Sequence, residues 1–299
     1  MATATRTREH PPTHFRTEEI DGLNIFYREA GPSDAPAVVL LHGFPTSSRM
    51  YRNLIPQLSD AYHVIAPDYP GFGHSDAPDR DDFTYTFDHV ADIMEKLLDR
   101  LKVRKYTLYM MDFGGPIGWR LAVRHPERVS ALVLQNAPLY PERDKDGFWK
   151  DMIPYWSDGS DEHRNVAKSF VSPDSTRDQY LIGTRDPSLV DPDNWLTDQA
   201  LLDRPGVDEI MMDYLYDISK LDNLFAAAKE FLRTEQPPAL IATGANDIVF
   251  SGANMRNFLH ELPNAEFHAL DTGHFALEEK ADEIGGLMRS FLDRTVSEG

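Results

Sequence analysis

Asp112, Asp247 and His274 are the residues whose types could do nucleophilic chemistry together, and each falls just past the end of an apolar run. Asp112 lies in the stretch "LYMMDFGGPIGW", Asp247 in "TGANDIVF" and His274 in "DTGHFALEE". A carboxylate is a weak base that can displace a leaving group at a saturated carbon, leaving an alkyl ester on the protein, whereas a serine alkoxide attacks acyl carbons. A histidine oriented by a second acid can then activate water to cleave that ester. These residue types in this pattern imply hydrolysis at carbon. Each residue also has a structural alternative: Asp112 could cap the helix that follows, Asp247 could make an Asx turn, and His274 could be a satisfied core histidine. Asn136 follows another strand, but it carries no charge, so Asp247 is the better orienter of His274.

Alternating elements are needed to bring these loops together. The runs "LNIFYREAG", "APAVVLLHG", "YHVIAPD", "YTLYMM", "SALVLQNAP", "PALIATG" and "AEFHAL" read as strands, several of them continuously apolar, as in strands buried on both faces. Helical periodicity runs from Phe87 to Leu101. A helix is expected to begin at Gly114, with Pro116 in its first turn, and to end at His125-Pro126. Two more are expected around Asn254 to Leu262 and from Ala281 to Leu292. Strands alternating with helices imply a parallel sheet covered on both faces, whose functional loops gather at the carboxyl edge. A carboxylate at the amino end of the helix from Gly114 should be held ionised by the helix dipole and its free amides.

Between Pro138 and Asp222 the buried-strand signature stops. This segment holds 19 Asp and Glu against 9 Lys and Arg, over half of the net charge of −19 in under a third of the length, and it is rich in Trp and Tyr. It reads as a helical lid, acidic outside and aromatic beneath, inserted into one sheet. The expected division is therefore 1–137 and 223–299 for the two parts of the core and 138–222 for the cap.

Composition narrows the chemistry. The 299 residues include no cysteine, which removes disulfides, thiolate catalysis and cysteine-ligated metals. No clustered carboxylate suggests a metal site, and no cofactor is called for. The charge of −19 argues against nucleic acid and anionic membrane as partners. No run could serve as a signal-peptide core or a membrane span, so a cytoplasmic protein is expected. The implied partners are water and a small neutral, mostly apolar substrate.

The order Asp112, Asp247, His274 and the turn His42-Gly43-Phe44-Pro45 after "AVVLL" resemble the α/β-hydrolase superfamily, in the branch of epoxide hydrolases and haloalkane dehalogenases. The resemblance runs from about Phe15 to Leu292. It implies an Asp112 nucleophile, an Asp247–His274 pair, and an oxyanion hole made by the amides of Phe44 and Phe113. Dehalogenases typically place a tryptophan after the nucleophile and a donor at the H-G-x-P turn. Here both positions are phenylalanine, which points to an epoxide before a haloalkane. Phe113 also lacks the arginine of fluoroacetate-type enzymes, so an anionic substrate is disfavoured. Epoxide hydrolases supply two lid tyrosines; by spacing these are Tyr155, 43 residues after Asp112, and Tyr214, 33 before Asp247. Tyr214 is preferred to Tyr216 because it shares a stripe with Val207, Ile210, Met211 and Ile218. Two departures stand out: Met110 occupies a usually small position, and Leu215-Tyr216-Asp217-Ile218 replaces the family's run around the second tyrosine. A non-catalytic ligand-binding protein of the same fold is the alternative of another class.

Overall fold

A computed structural model describes residues 11–140 and 147–296. Eight strands form one sheet: β1 (His14–Ile20), β2 (Leu23–Ala30), β3 (Ala37–Leu41), β4 (His63–Pro67), β5 (Tyr106–Met111), β6 (Val129–Gln135), β7 (Ala239–Gly244) and β8 (Glu266–Leu270). Their spatial order is β1-β2-β4-β3-β5-β6-β7-β8. β1 and β2 pair antiparallel, as do β2 and β4, and every pairing from β4 through β3 to β8 is parallel.

The continuous apolar runs have a simple cause. Successive side chains of a strand point to opposite faces, and both faces of this sheet carry a core. Val39, Leu41, Leu108, Met110, Leu132 and Leu134 join one buried cluster, while Val38, Leu40, Tyr109, Met111, Ala131 and Val133 join the other. On the first face lie helices α2 (Phe87–Arg100), α3 (Gly114–Arg124) and α9 (Asp222–Glu235); on the second lie α1 (Ile55–Leu58) and α11 (Leu277–Thr295). α2 takes its N-cap from Thr86, whose hydroxyl accepts from the His89 amide, satisfying one of the unpaired donors of its first turn.

Between β6 and β7 the regular structure of the described residues is entirely helical: α4 (Met152–Asp158), α5 (Asp161–Ala167), α6 (Pro173–Leu181), α7 (Asp193–Leu202), α8 (Val207–Asp217) and then α9. A short α10 (Gly252–Arg256) follows β7. The expected C-terminal helix begins earlier than Ala281, at Leu277, and bends at Lys280.

Candidate active site

Asp112 sits in a strained turn between β5 and α3, with φ of 49°, a left-handed conformation uncommon for a residue with a β-carbon. The neighbouring backbones make room for it. A β-carbon on Gly43 would lie 2.4 Å from that of Asp112, and one on Gly114 would lie 2.2 Å from the Leu41 carbonyl oxygen. Only glycine fits at either place. The side chain does not cap α3; the Gly115 amide bonds instead to the Asp112 carbonyl, at 2.8 Å. The carboxylate accepts the Phe44 amide on Oδ1 at 2.6 Å and a second bond from the Phe113 amide. Burial nevertheless dominates: it pushes the Asp112 pKa up to about 6, with His274 and the two amides pulling the other way. The helix end thus does not hold this carboxyl at its ordinary value; desolvation of the anion outweighs it. Asp112 remains ionised at neutral pH by a narrower margin than the sequence suggests.

His274 and Asp247 meet at the same edge of the sheet. His274 Nδ1 lies 2.9 Å from Asp247 Oδ2, and both side chains are fully buried. The bond fixes the ring and leaves Nε2, buried and without a hydrogen-bond partner among the described residues. The Asp247 carboxylate, with Asp112 behind it, raises the His274 pKa against the lowering effect of burial. Asn136 completes the arrangement. Its side chain donates to Asp247 Oδ2 at 2.6 Å and accepts the Gly244 amide at 3.0 Å, while its carbonyl receives the Asp112 amide at 3.1 Å. With φ of 47°, it too is held in a left-handed turn. The sequence sets Asn136 against Asp247 only as an uncharged alternative orienter of His274; asparagine at a strand end, a residue type enriched in left-handed turns, is the signal it offers for a bracing role.

A cavity of about 250 Å³ opens on Asp112 and Phe113 and is walled by Trp149, Ile153, Trp156, Phe225 and Phe250. Its donors are few. The indole N–H groups of Trp149 and Trp156 are engaged by the carbonyls of Val249 and Leu215, at 3.2 and 2.7 Å. Neither tyrosine singled out from the sequence is among the lining residues. The Tyr214 ring is buried as expected, among Phe72, Phe87 and Phe113, but its hydroxyl donates to the Pro70 carbonyl at 2.9 Å. The Tyr155 hydroxyl receives Arg164 Nη1 at 3.0 Å, and its ring packs on Tyr216. The structure therefore brings Asp112, Phe44, Phe113, Asp247 and His274 together and turns both tyrosine hydroxyls to other partners. No helix among the described residues is long and apolar enough to cross a membrane, and no group of three or more metal-ligating side chains occurs among them.

Residues 36–281 match the family described as alpha/beta hydrolase fold, and the chain belongs to that family. It is a hydrolase of this fold, and a haloalkane dehalogenase of Psychrobacter cryohalolentis is 45% identical to it over 42% of this chain and 41% of its own length. An uncharacterized hydrolase of Saccharomyces cerevisiae is 38% identical over 86% of this chain and 89% of its own length. A cis-3-alkyl-4-alkyloxetan-2-one decarboxylase of Xanthomonas campestris is 30% identical over 95% and 98% respectively. A crystal structure of an ancestral haloalkane dehalogenase superposes with a TM-score of 0.78 at 24% identity, covering 94% of this chain and 99% of that one.

Proposed function

We propose that the protein opens a small, neutral, mostly apolar electrophile by attack of the Asp112 carboxylate at carbon, and that water activated by His274 hydrolyses the resulting ester. The observation that carries this reading is the carboxylate itself. It is seated at the tip of a strained turn, held by the Phe44 and Phe113 amides, and faces an apolar cavity. In the first step a carboxylate oxygen forms a C–O bond as the leaving group departs with its electron pair. In the second, the two amides stabilise the oxyanion formed when water attacks the Asp112 ester carbonyl. His274 takes the proton of that water through Nε2, and Asp247 stabilises the imidazolium. The inserted helices act as a cap that supplies the cavity wall and excludes bulk water.

An epoxide is the first candidate, since ring strain drives its opening. Its departing oxygen needs a proton: Tyr214 would have to release the Pro70 carbonyl to give one, whereas Tyr155 only accepts from Arg164 and keeps its O–H to donate, so what it needs is a turn of the side chain into the cavity. A haloalkane is less well served, because both cavity tryptophans already spend their N–H groups on carbonyls. A second reading is favoured by the nearly full-length similarity to the oxetan-2-one decarboxylase. When a four-membered lactone is opened at its alkyl carbon, the leaving group is a carboxylate, which departs without an acid.

The test is a single turnover in ¹⁸O-water with enzyme in excess, on parallel panels of terminal epoxides, oxetan-2-ones and bromoalkanes. The first-turnover product should be unlabelled and the label should enter Asp112. His274→Gln should accumulate an Asp112 adduct visible by intact mass. Label entering the product directly would make Asp112 a base and overturn the covalent mechanism, and the panel that turns over decides between the substrates.

A further inference from the structure

The inserted helices contact the catalytic loops through two unlike regions. α4 and the residues just before it contribute Trp149, Ile153 and Trp156 to the cavity wall. α6, α7 and the segment joining them contribute nothing to that wall, yet they sit on the loops that carry the reacting groups. The Tyr180 ring of α6 stacks on Phe275 at 4.1 Å with an interplanar angle of 10°, and Phe275 packs edge-on against the His274 ring at 5.1 Å. The Tyr180 hydroxyl donates to Asp198 Oδ2 on α7. The Thr46 hydroxyl, two residues beyond the Phe44 amide, faces the same pair.

The joining segment packs against the backbone of the two loops that carry Asp247 and His274. The Asn246 side chain donates through Nδ2 to the Gly183 carbonyl at 3.0 Å. A β-carbon on Gly183 would lie 2.4 Å from the Asn246 carbonyl oxygen and 3.0 Å from Gly273 Cα. These are the residues immediately before Asp247 and His274.

Both Tyr180 and Asp198 are almost completely buried, and Asp198 Oδ1 has no hydrogen-bond partner among the described residues. Burying a carboxylate is costly unless its oxygens are paired. Nothing in the chemistry of the cavity uses this one. We propose that Tyr180 and Asp198 are positioning residues, through which the inserted helices hold the His274 ring, by way of Phe275, and the Phe44 turn, by way of Thr46, in register with Asp112.

The proposal rests on His274 acting as the base of the second step. The groups facing Asp198 are Tyr180 from α6, Thr46 and Arg49 from the segment after β3, and Glu278 from α11. Burial pushes Asp198 up to about 7. As pH falls through that value the carboxylate gains a proton and loses acceptor capacity for the two hydroxyls. Its hold on the loops therefore weakens on the acid side.

Tyr180→Phe and Asp198→Asn test this. Tyr180→Phe keeps the ring stack and removes the donor; Asp198→Asn keeps the shape and removes the charge. Both variants should form the Asp112 ester at close to the wild-type rate but hydrolyse it about tenfold more slowly, as expected for a small displacement of a catalytic group. In the wild type, ester hydrolysis should lose rate with falling pH through two ionisations, and in Asp198→Asn through one. The low-field proton NMR signal of His274 Nδ1–H, which needs no turnover, should shift in both variants. Hydrolysis rates, pH profile and NMR signal all matching the wild type would overturn the proposal, as would a loss of melting temperature with those readouts unmoved. If His274→Gln accumulates no ester, the covalent mechanism fails separately, and the NMR signal alone then decides the positioning claim.

Discussion

The mechanism proposed for Asp112 needs its carboxylate ionised in a place that does not favour the ion. Its carboxyl pKa, raised from 3.8 to about 6 by burial, means that the folded state binds this proton more tightly than the unfolded chain does. Stability is thereby lost as pH rises from about 4 through about 6, and the full cost, up to about 3 kcal/mol, is present above that. Asp112→Asn should abolish turnover and yet raise the melting temperature by a few degrees at pH 8, with little gain at pH 4. The amide oxygen can still accept the Phe44 N–H. Equal melting curves at the two pH values would contradict the electrostatic origin of the cost. On the proposed mechanism the same shift sets the first kinetic step: ester formation should fall as pH drops, measured by the rate of adduct appearance in His274→Gln, with a midpoint above about 6 because the histidine that lowers the Asp112 pKa is gone. Ester formation also neutralises Asp112, removing one of the charges that favour protonated His274. In the proposed second step His274 is therefore released from part of its attraction for a proton just when water must be activated.

At the scale of elements, the turn that carries Asp112 depends on an exchange of bulk between β5 and α3. Met110 occupies a position that in the resembling enzymes is small, and the space it needs comes from Gly118: a β-carbon there would lie 2.2 Å from the Met110 sulfur. Gly118→Ala should lower stability by about 1–3 kcal/mol through overpacking, despite the better helix propensity of alanine. Combined with Met110→Ala it should cost less than the sum of the two single changes, as read from denaturant melts. Additivity would show that the two do not share the space. Much of this level was legible beforehand. β5, α2 and α3 lie within a residue or so of where apolar runs and periodicity placed them, because both faces of the sheet are buried and every run is dictated by burial. β1 was not legible: its residues are mostly exposed, so no alternation of apolar and polar types marks it, and pairing with β2 alone makes it a strand. The tyrosine hydroxyls were not legible either. Spacing and periodicity could say that Tyr214 is buried, but where a hydroxyl points depends on which carbonyl is nearest, here Pro70, and that is settled only by tertiary packing.

For the whole molecule, the charge of −19 surrounds a cavity whose walls are mostly apolar. Neutral substrates enter without electrostatic penalty, whereas a carboxylate-bearing analogue of the same shape must approach a negative surface. Its kcat/KM should rise several-fold between low and physiological salt as the repulsion is screened, while that of the neutral parent stays flat. A parallel response of both would place the discrimination in the cavity instead of the surface. The sheet itself ends in a feature with consequences beyond catalysis. Among the described residues β1 pairs with β2 alone, and the edge this leaves is where in many proteins a second chain adds its own strand. Along it run Arg16, Glu18 and Glu19, with Glu18 held by Arg100 at 2.7 Å and Arg16 by Glu29 at 2.5 Å. An identical edge arriving antiparallel would have to desolvate these charges and disturb their ion pairs before making its backbone bonds. The polar composition that hid β1 from sequence reading is thus also what discourages this protein from growing into a continuous sheet with its own copies.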